Sequence, residues 1–287
     1  MNRAERWTPY VLLVPAFFFL LTFSIVPAVA GFGEALYTRN LSHEHRAFVG
    51  LANFARIFND PTFWKSLRVT LVFSVIVNPL QTALALLLAL LVNQRVRGIA
   101  VLRSVLLFPV VISLNITSTV WGLLLNQGGL INGIFASVGL PRQPFLSSPG
   151  QALWTIIAII SWVGVPYWMM FFLAGLQGIP QTIYEAAAID GANSWQAFSR
   201  MTLPLLRRVV AFVLVSDTVT NLFLFAPVWI LTRGGPELTT NFVMYDAYRR
   251  GVVWGDLGGM AAMVVILLSI TSAVVALEFF VLRMNKD

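Results

Sequence analysis

Asp217 is the residue best placed to do chemistry in this sequence. It lies roughly a third to halfway along an apolar run from Val209 to Leu231, where a carboxylate costs ~2.5–3.5 kcal/mol on insertion scales. A group so expensive in hydrocarbon faces a polar cavity or a partner. Asn221 follows four residues later on the same helical face, with Thr218 and Thr220 adjacent. The same groups could equally serve as hydrogen bonds joining neighbouring spans. Two other apolar runs carry polar clusters near their middles: Ser113, Asn115 and Thr117 in one, and Ser161, Trp162, Gly164 and Tyr167 in another, where Pro166 adds a tendency to unwind. A mid-span indole such as Trp162 is as often packing as platform.

Other chemistries are excluded or weakly supported. Cysteine is absent, which removes disulfides, thiolate metal sites and cysteine nucleophiles. The only histidines, His43 and His45, flank Glu44; two imidazoles on one loop are an incomplete metal site, and a solvated loop accounts for them better. The only lysines, Lys65 and Lys286, follow Trp64 and Asn285, so there is no Gly-Lys-Ser/Thr phosphate loop. Gly-x-Ser-x-Gly, His-Glu-x-x-His and Gly-x-Gly-x-x-Gly are missing as well. No catalytic constellation and no metal ligand set is expected, and any ATP hydrolysis belongs to another polypeptide.

The elements that hold these residues are membrane spans. Hydrophobic residues make up 58% of 287 positions and charged residues 11%, and the mean hydropathy of +0.80 is untenable for an ordinary water-soluble surface. A spanning helix needs roughly 20 apolar residues. Six runs qualify, at about Tyr10 to Gly33, Leu67 to Val92, Ser104 to Leu125, Leu153 to Ala174, Val209 to Leu231 and Gly259 to Leu282. Backbone groups in lipid must be satisfied internally, so each is a helix. The expected fold is an all-α membrane protein of six transmembrane helices, with residues 1–287 forming one polytopic domain. Ala28-Val29-Ala30 resembles a signal-peptidase site, but the apolar run before it is longer than the usual ~7–15 residues and reads as a retained span. Trp7, Trp64, Trp154 and Trp254 fall near span ends, as an interfacial belt would.

Basic residues orient the chain. Arg95, Arg97 and Arg103 occupy one short loop free of acids, Arg200, Arg207 and Arg208 another, and Arg3, Arg6, Arg283 and Lys286 flank the ends. The opposite side also carries bases, among them Arg39, Arg46, Arg56, Lys65, Arg142, Arg233, Arg249 and Arg250, but mixes in Glu34, Glu44, Asp60, Glu237, Asp246 and Asp256. Both termini are therefore expected in the cytoplasm. The pI of ≈ 10.4 fits contact with anionic headgroups; no nucleic-acid module is present. Glu278, toward the inner end of the last run, can snorkel or pair with Arg283 and is assigned no role.

Between the fourth and fifth runs lies Glu185-Ala186-Ala187-Ala188-Ile189-Asp190-Gly191, followed after nine residues by Met201-Thr202-Leu203-Pro204. Pro180 suits a helix's first turn, Gln181 to Ile189 reads as a short helix with Ile183, Tyr184 and Ala187 on one side, and Asp190-Gly191 as a turn. Asn193 or Ser194 can cap a second short helix through Phe198. Pro204 leads into the fifth run. The product is a small, bent knob. This spacing resembles the cytoplasmic signature of binding-protein-dependent ABC importer permeases, with Met201 standing where Ile is usual. Val49-Gly50-Leu51-Ala52-Asn53-Phe54, ahead of Asn59-Asp60-Pro61 and Phe63-Trp64, and Leu231-Thr232-Arg233-Gly234-Gly235-Pro236, ahead of Tyr245 and Tyr248, resemble the carbohydrate-type branch of that family, the maltose and glycerol-phosphate class.

The resemblance implies partners and roles. A loop of about 178–208 docks in an ATPase cleft, through Glu185, Ala186, Ala187, Asp190, Gly191, Leu203 and Pro204, with Trp195 and Phe198 as apolar anchors. Gly50, Asn53, Gly234, Gly235 and Pro236 lie on the outer face, where a solute-binding protein docks. Ser113, Asn115, Thr117, Ser161, Trp162, Gly164, Tyr167, Asp217 and Asn221 line the pathway, with Asp217 and Asn221 the first choices for recognising sugar hydroxyls. A second homologous permease and two ATPase subunits carrying ATP and Mg complete the complex in a bacterial or archaeal inner membrane. An ion-coupled secondary transporter using Asp217 is the alternative, though no duplication of the two halves is visible.

Overall fold

The computed structural model describes residues 3–40, 43–94 and 96–284. Arg95 and Lys286 lie outside them, as do the side chains of Arg3, Arg6, Trp7, Arg39, His43, Glu44, His45 and Arg283. The architecture is a multi-pass, essentially all-helical membrane fold. Five helices are long and apolar enough to cross a bilayer, and one further pair qualifies jointly but is bent by 94° at its break. By contact the chain forms two compact units, residues 1–63 with 246–268 and residues 64–245 with 269–287.

The first unit begins with α1 (Arg3–Leu20), a π-turn (Leu21–Ile25) and α2 (Val26–Glu34). Pro27 has no N–H to give, and the turn just ahead of it widens so that the Val26 N–H reaches the Leu21 carbonyl. From Leu12 to Glu34 none of the most apolar window is buried within the chain. A hairpin of β1 (Tyr37–Asn40) and β2 (His43–Phe48) follows, antiparallel with Tyr37 opposite Phe48, so the first loop after the opening span is ordered strand rather than plain solvated coil. Gly50 takes φ +55°, turning the chain into α3 (Ala52–Phe58).

Most of the second unit is spans. Within α4 (Pro61–Val92), small residues Ala85 and Ala89 let the large side chains Trp168, Met169 and Phe172 pack into a buried cluster with Leu206 and Val213. The third apolar run, expected to be one helix from Ser104 to Leu125, is broken. It comprises α5 (Ile99–Val111) and α6 (Leu114–Leu125), with Ile112 and Ser113 extended between them. Pro109 and the β-branched triplet Val110-Val111-Ile112 are poor helix material, which is where the helix gives way. After α7 (Leu130–Ser137) comes α8 (Ala152–Gln177), half of whose apolar window is buried.

Then come α9 (Gln181–Ile189), α10 (Ser194–Ala197), a π-turn (Phe198–Thr202) and α11 (Leu203–Leu222). This second π-turn also sits just ahead of a proline, Pro204, and its Leu203 N–H reaches the Phe198 carbonyl. The fifth run is likewise interrupted: α11 ends at Leu222, and α12 (Ala226–Leu231) restarts with Pro227 in its first turn, where a missing N–H is harmless. Phe73 on α4 packs against Phe242 with ring centroids 4.8 Å apart, in a cluster with Ile156, Ile160 and Val228. The chain ends through α13 (Val243–Tyr248), a π-turn (Arg249–Val253) and α14 (Leu257–Met284).

Candidate functional site

Four spans meet at one buried polar cluster. Asp217 and Asn221 on α11 are each 2% exposed. Trp168 Nε1 on α8 donates to Asp217 Oδ1 at 2.8 Å, and Asn221 Nδ2 donates to the same oxygen at 2.8 Å. Asn221 Nδ2 also donates to Asn78 Oδ1 on α4 (2.8 Å), while Asn78 Nδ2 donates to Thr218 Oγ1 (2.8 Å) and to Ser74 Oγ (2.7 Å). Thr218 Oγ1 in turn donates to Glu278 Oε1 on α14 at 2.8 Å. Asp217 and Asn221, expected to face a solute, thus lie inside the bundle as bonds between spans. Glu278, expected to reach toward Arg283 or the membrane surface, points inward. Asp217 Oδ2 and Glu278 Oε2 are buried without a partner among the described residues.

The other expected pathway residues divide by exposure. Ser113, the N-cap of α6 at the break, and Asn115 are exposed, while Thr117 is buried with its hydroxyl unpartnered among the described residues. On α8, Trp162 and Tyr167 are exposed and Ser161 and Gly164 half-buried. Tyr167 makes an edge-on contact with Trp168, centroids 4.7 Å apart, so the Asp217 hydrogen bond braces the ring beside it. Trp162 meets Trp121 edge-on at 5.6 Å. Gln81, 1% exposed, donates to Ser161 Oγ at 3.3 Å and fills the space where a side chain on Gly164 would go.

In the segment 178–208, α9 buries Ala187 and half-buries Ile183 and Tyr184, leaving Glu185, Ala186, Asp190 and Ile189 exposed. Tyr184 Oη lies 3.0 Å from Thr202 Oγ1. Gly191 has φ +79° with open space around it, a conformation most L-residues adopt only at a cost of roughly 1–2 kcal/mol. Asn193 caps α10 in a reciprocal box: its Oδ1 accepts from Gln196 N and Gln196 Oε1 accepts from Asn193 N, both at 2.9 Å. Trp195 is 71% exposed, with Phe198 5.6 Å away. Instead of stopping near Phe198, the second short helix runs through the π-turn into α11, taking Leu203 and Pro204 with it.

The outer-loop residues also separate. Asn53, expected at a docking surface, is 4% exposed. Its Nδ2 donates to the Ala35 and Tyr37 carbonyls at 2.9 and 3.0 Å and so clamps the hairpin. Gly234 has φ +78° and is buried against Asn241 and Tyr245, while Gly235 and Pro236 are half-buried.

Sequence reasoning missed an ion-pair network within the first unit. Asp60 accepts from the Thr62 amide at 2.8 Å at the start of α4, and Asp256 accepts from the Gly259 amide at 2.9 Å at the start of α14. Arg250, 8% exposed, pairs with Asp60 and approaches Asp256 at 3.8 Å, while Arg56 pairs with Asp256 at 2.8 Å. Burial acts to raise the Asp60 carboxyl, but the Thr62 amide and the Arg250 guanidinium outweigh it and hold the group below its ordinary 3.8. Asn78 and Gln81 were open to detection, being polar residues inside the apolar run Leu67 to Val92. Among the described residues no group of three or more His, Asp or Glu side chains could hold a metal.

Long apolar helices, a bent pair of helices and a small exposed knob describe a multi-pass membrane protein. Residues 6–286 match the family described as binding-protein-dependent transport system inner membrane component. The chain is 34% identical to the trehalose/maltose transport system permease protein MalF of Thermococcus litoralis, over 86% of this chain and 84% of that one. It is also 34% identical to the sn-glycerol-3-phosphate transport system permease protein UgpA of Agrobacterium fabrum, over 94% and 93%. In fold it is similar to a bacterial ABC transporter involved in import of the acidic polysaccharide alginate, with a TM-score of 0.86 and 22% identity over 99% and 98%. The chain belongs to the binding-protein-dependent transport system inner membrane component family. It is the permease of an ABC-type importer in a bacterial or archaeal inner membrane, working with a binding protein and an ATPase. That assignment takes the place of an ion-coupled secondary transporter built on Asp217.

Proposed function

We propose that this permease moves a sugar or sugar-like solute from its binding protein into the cytoplasm by alternating access. The observation that carries the solute class is the identity of 34% to permeases named for trehalose/maltose and for sn-glycerol-3-phosphate, across more than four fifths of each chain. Those solutes share closely spaced hydroxyls, the groups that Ser, Asn, Tyr and Trp side chains recognise.

The 287 residues act as one polytopic domain with six crossings, the third made by α5 and α6 together, and both termini in the cytoplasm. Non-helical backbone at membrane depth is tolerated where it is covered by protein or lines a watery cavity. The extended Ile112-Ser113 break therefore supports a pathway wall at Ser113 and Asn115. Trp162 and Tyr167 supply exposed ring faces on α8, beside Ser161 and Gly164. Asp217 and Asn221 act from behind this wall, holding the spans that carry it.

The segment 178–208 is the coupling element. A helix that buries Ala187 while exposing Ile189 and, beyond the Gly191 turn, Trp195 has an apolar face in need of a cover. That cover is the cleft of one of two ATPase subunits, with Glu185, Ala186, Asp190 and Phe198 around the contact and Leu203 and Pro204 passing the motion to α11. A second, homologous permease faces this one. Gly50, Gly234, Gly235 and Pro236 shape the outer turns against which the binding protein rests, while Asn53 clamps the β1–β2 hairpin from inside.

Co-purification with the neighbouring gene products and reconstitution in lipid tests the reading. ATP hydrolysis stimulated by one sugar-loaded binding protein is the expected result. Hydrolysis indifferent to every loaded binding protein would overturn it.

A further inference from the structure

Below the pathway residues, a cavity of about 750 Å³ opens between the end of α4, the start of α5, the end of α8 and the start of α9. Asn93, Gln94, Arg103, Gln177, Gln181 and Tyr184 line it, and among the described residues no acidic side chain does. It is a pocket of amide donors and acceptors around one guanidinium. Arg103 uses Nε and Nη2 on the Val92 carbonyl, at 3.0 and 2.6 Å, which caps the end of α4. Its Nη1 has no hydrogen-bond partner among the described residues.

Helix ends also meet at the cavity. The α4 and α8 C-termini bring their negative ends to the cavity, but the α4 end is answered by Arg103. Ile99 and Gln181 bring the N-terminal turns of α5 and α9, of 13 and 9 residues, to the cavity wall, with the positive ends of their helix dipoles. The two positive helix ends offset the two negative ones, which leaves the Arg103 guanidinium as the net charge among the side-chain amides of Asn93, Gln94 and Gln177.

We propose that this cavity binds a phosphate-bearing anion, seated on Arg103 and the surrounding amides at the root of the coupling helix α9. Its position toward the cytoplasm rests on the orientation proposed above, but the cavity and its chemistry do not. Phosphate suits the site because a guanidinium edge and converging N–H groups match its several oxygens. A sugar alone would leave the guanidinium unanswered. The shared chemistry has two sources, the headgroup of an anionic phospholipid or a soluble phosphate ester. Either occupant would wedge between α8 and α9 and so stiffen the element that takes the ATPase stroke.

The natural lack of cysteine makes the site easy to read. In the full transporter complex in nanodiscs, Gln94→Cys places one thiol on this chain at the cavity wall. Its maleimide labelling rate, resolved on this subunit's gel band, is compared with that of Ser137→Cys on the exposed end of α7. Slowing of the Gln94→Cys rate relative to that control when phosphatidylglycerol is added to phosphatidylcholine discs establishes a lipid headgroup. Slowing in pure phosphatidylcholine discs by inorganic phosphate or glycerol phosphate establishes a soluble ligand. In either case protection must be lost in an Arg103→Gln background and weakened by Gln177→Leu, which leaves the α4 cap in place. Equal relative rates under every condition, or protection that survives both substitutions, overturn the proposal. Labelling needs no transport, so this result stands apart from that of the solute assay.

Discussion

Replacing Asn78 with leucine tests the buried cluster most directly. Asn78 is 4% exposed, and its amide makes three bonds: two tie α4 to the hub, one accepted from Asn221 and one donated to Thr218, and the third is donated within its own helix to Ser74. Leucine is close in volume, so the perturbation is loss of hydrogen bonds rather than creation of a cavity. Two of the three bonds cross between helices. Interhelical hydrogen bonds in membrane proteins average ~0.6 kcal/mol with a maximum of ~1.7, so the pair contributes roughly 1–3 kcal/mol. Part is recovered, because Asn221 keeps its bond to Asp217 and Thr218 keeps its bond to Glu278. Thermal unfolding of the detergent-solubilised complex, followed by tryptophan fluorescence, should show the midpoint falling by about 2–4 °C for each kcal/mol. Asn115→Leu, at an exposed position, is the control and should leave the midpoint in place. If the two variants melt together at the wild-type midpoint, the cluster does not hold the spans and Asn78 is free for another task.

Further outcomes are expected elsewhere. Gly191→Asp, at φ +79° in open space, should leave the membrane level of the subunit intact while uptake is lost, read by immunoblot beside transport. Trp195→Ala, at a 71% exposed position, should weaken retention of the ATPase in pull-downs with no change in the thermal midpoint. Gly164→Leu would drive a side chain into Gln81 and should lower the midpoint, with Gln81→Ala restoring part of it. The Asp60 carboxyl titrates below its ordinary 3.8 in the folded protein, so its stabilisation is complete above that value and fades as the pH falls through the lower folded one. Wild type should therefore exceed Asp60→Asn in stability at neutral pH and converge with it below about pH 3.8; a constant difference across that range would count against the pairing.

Much of this protein was legible in one dimension. Apolar length announces a spanning helix, because the bilayer sets the length and forbids unpaired backbone, and so a multi-pass, all-helical membrane fold could be read from composition. The turn at Gly191 and the Asn193 cap were readable because both are local: a positive φ calls for glycine, and a cap needs a side-chain oxygen just ahead of a helix. The breaks at Ile112-Ser113 and Phe223–Phe225 were harder, since prolines and β-branched residues weaken a helix without saying whether the surroundings will repair it. What tertiary structure alone decided is where each polar side chain points. Asp217 reads identically in sequence whether it meets a solute or a neighbouring helix. Only the approach of Trp168, Asn221 and Asn78 sets it inside the bundle, and likewise Asn53 became a clamp because the Ala35 and Tyr37 carbonyls happen to pass within 3.0 Å. Periodicity records the face a residue occupies on its own helix; the partner of that face is a property of the packed chain.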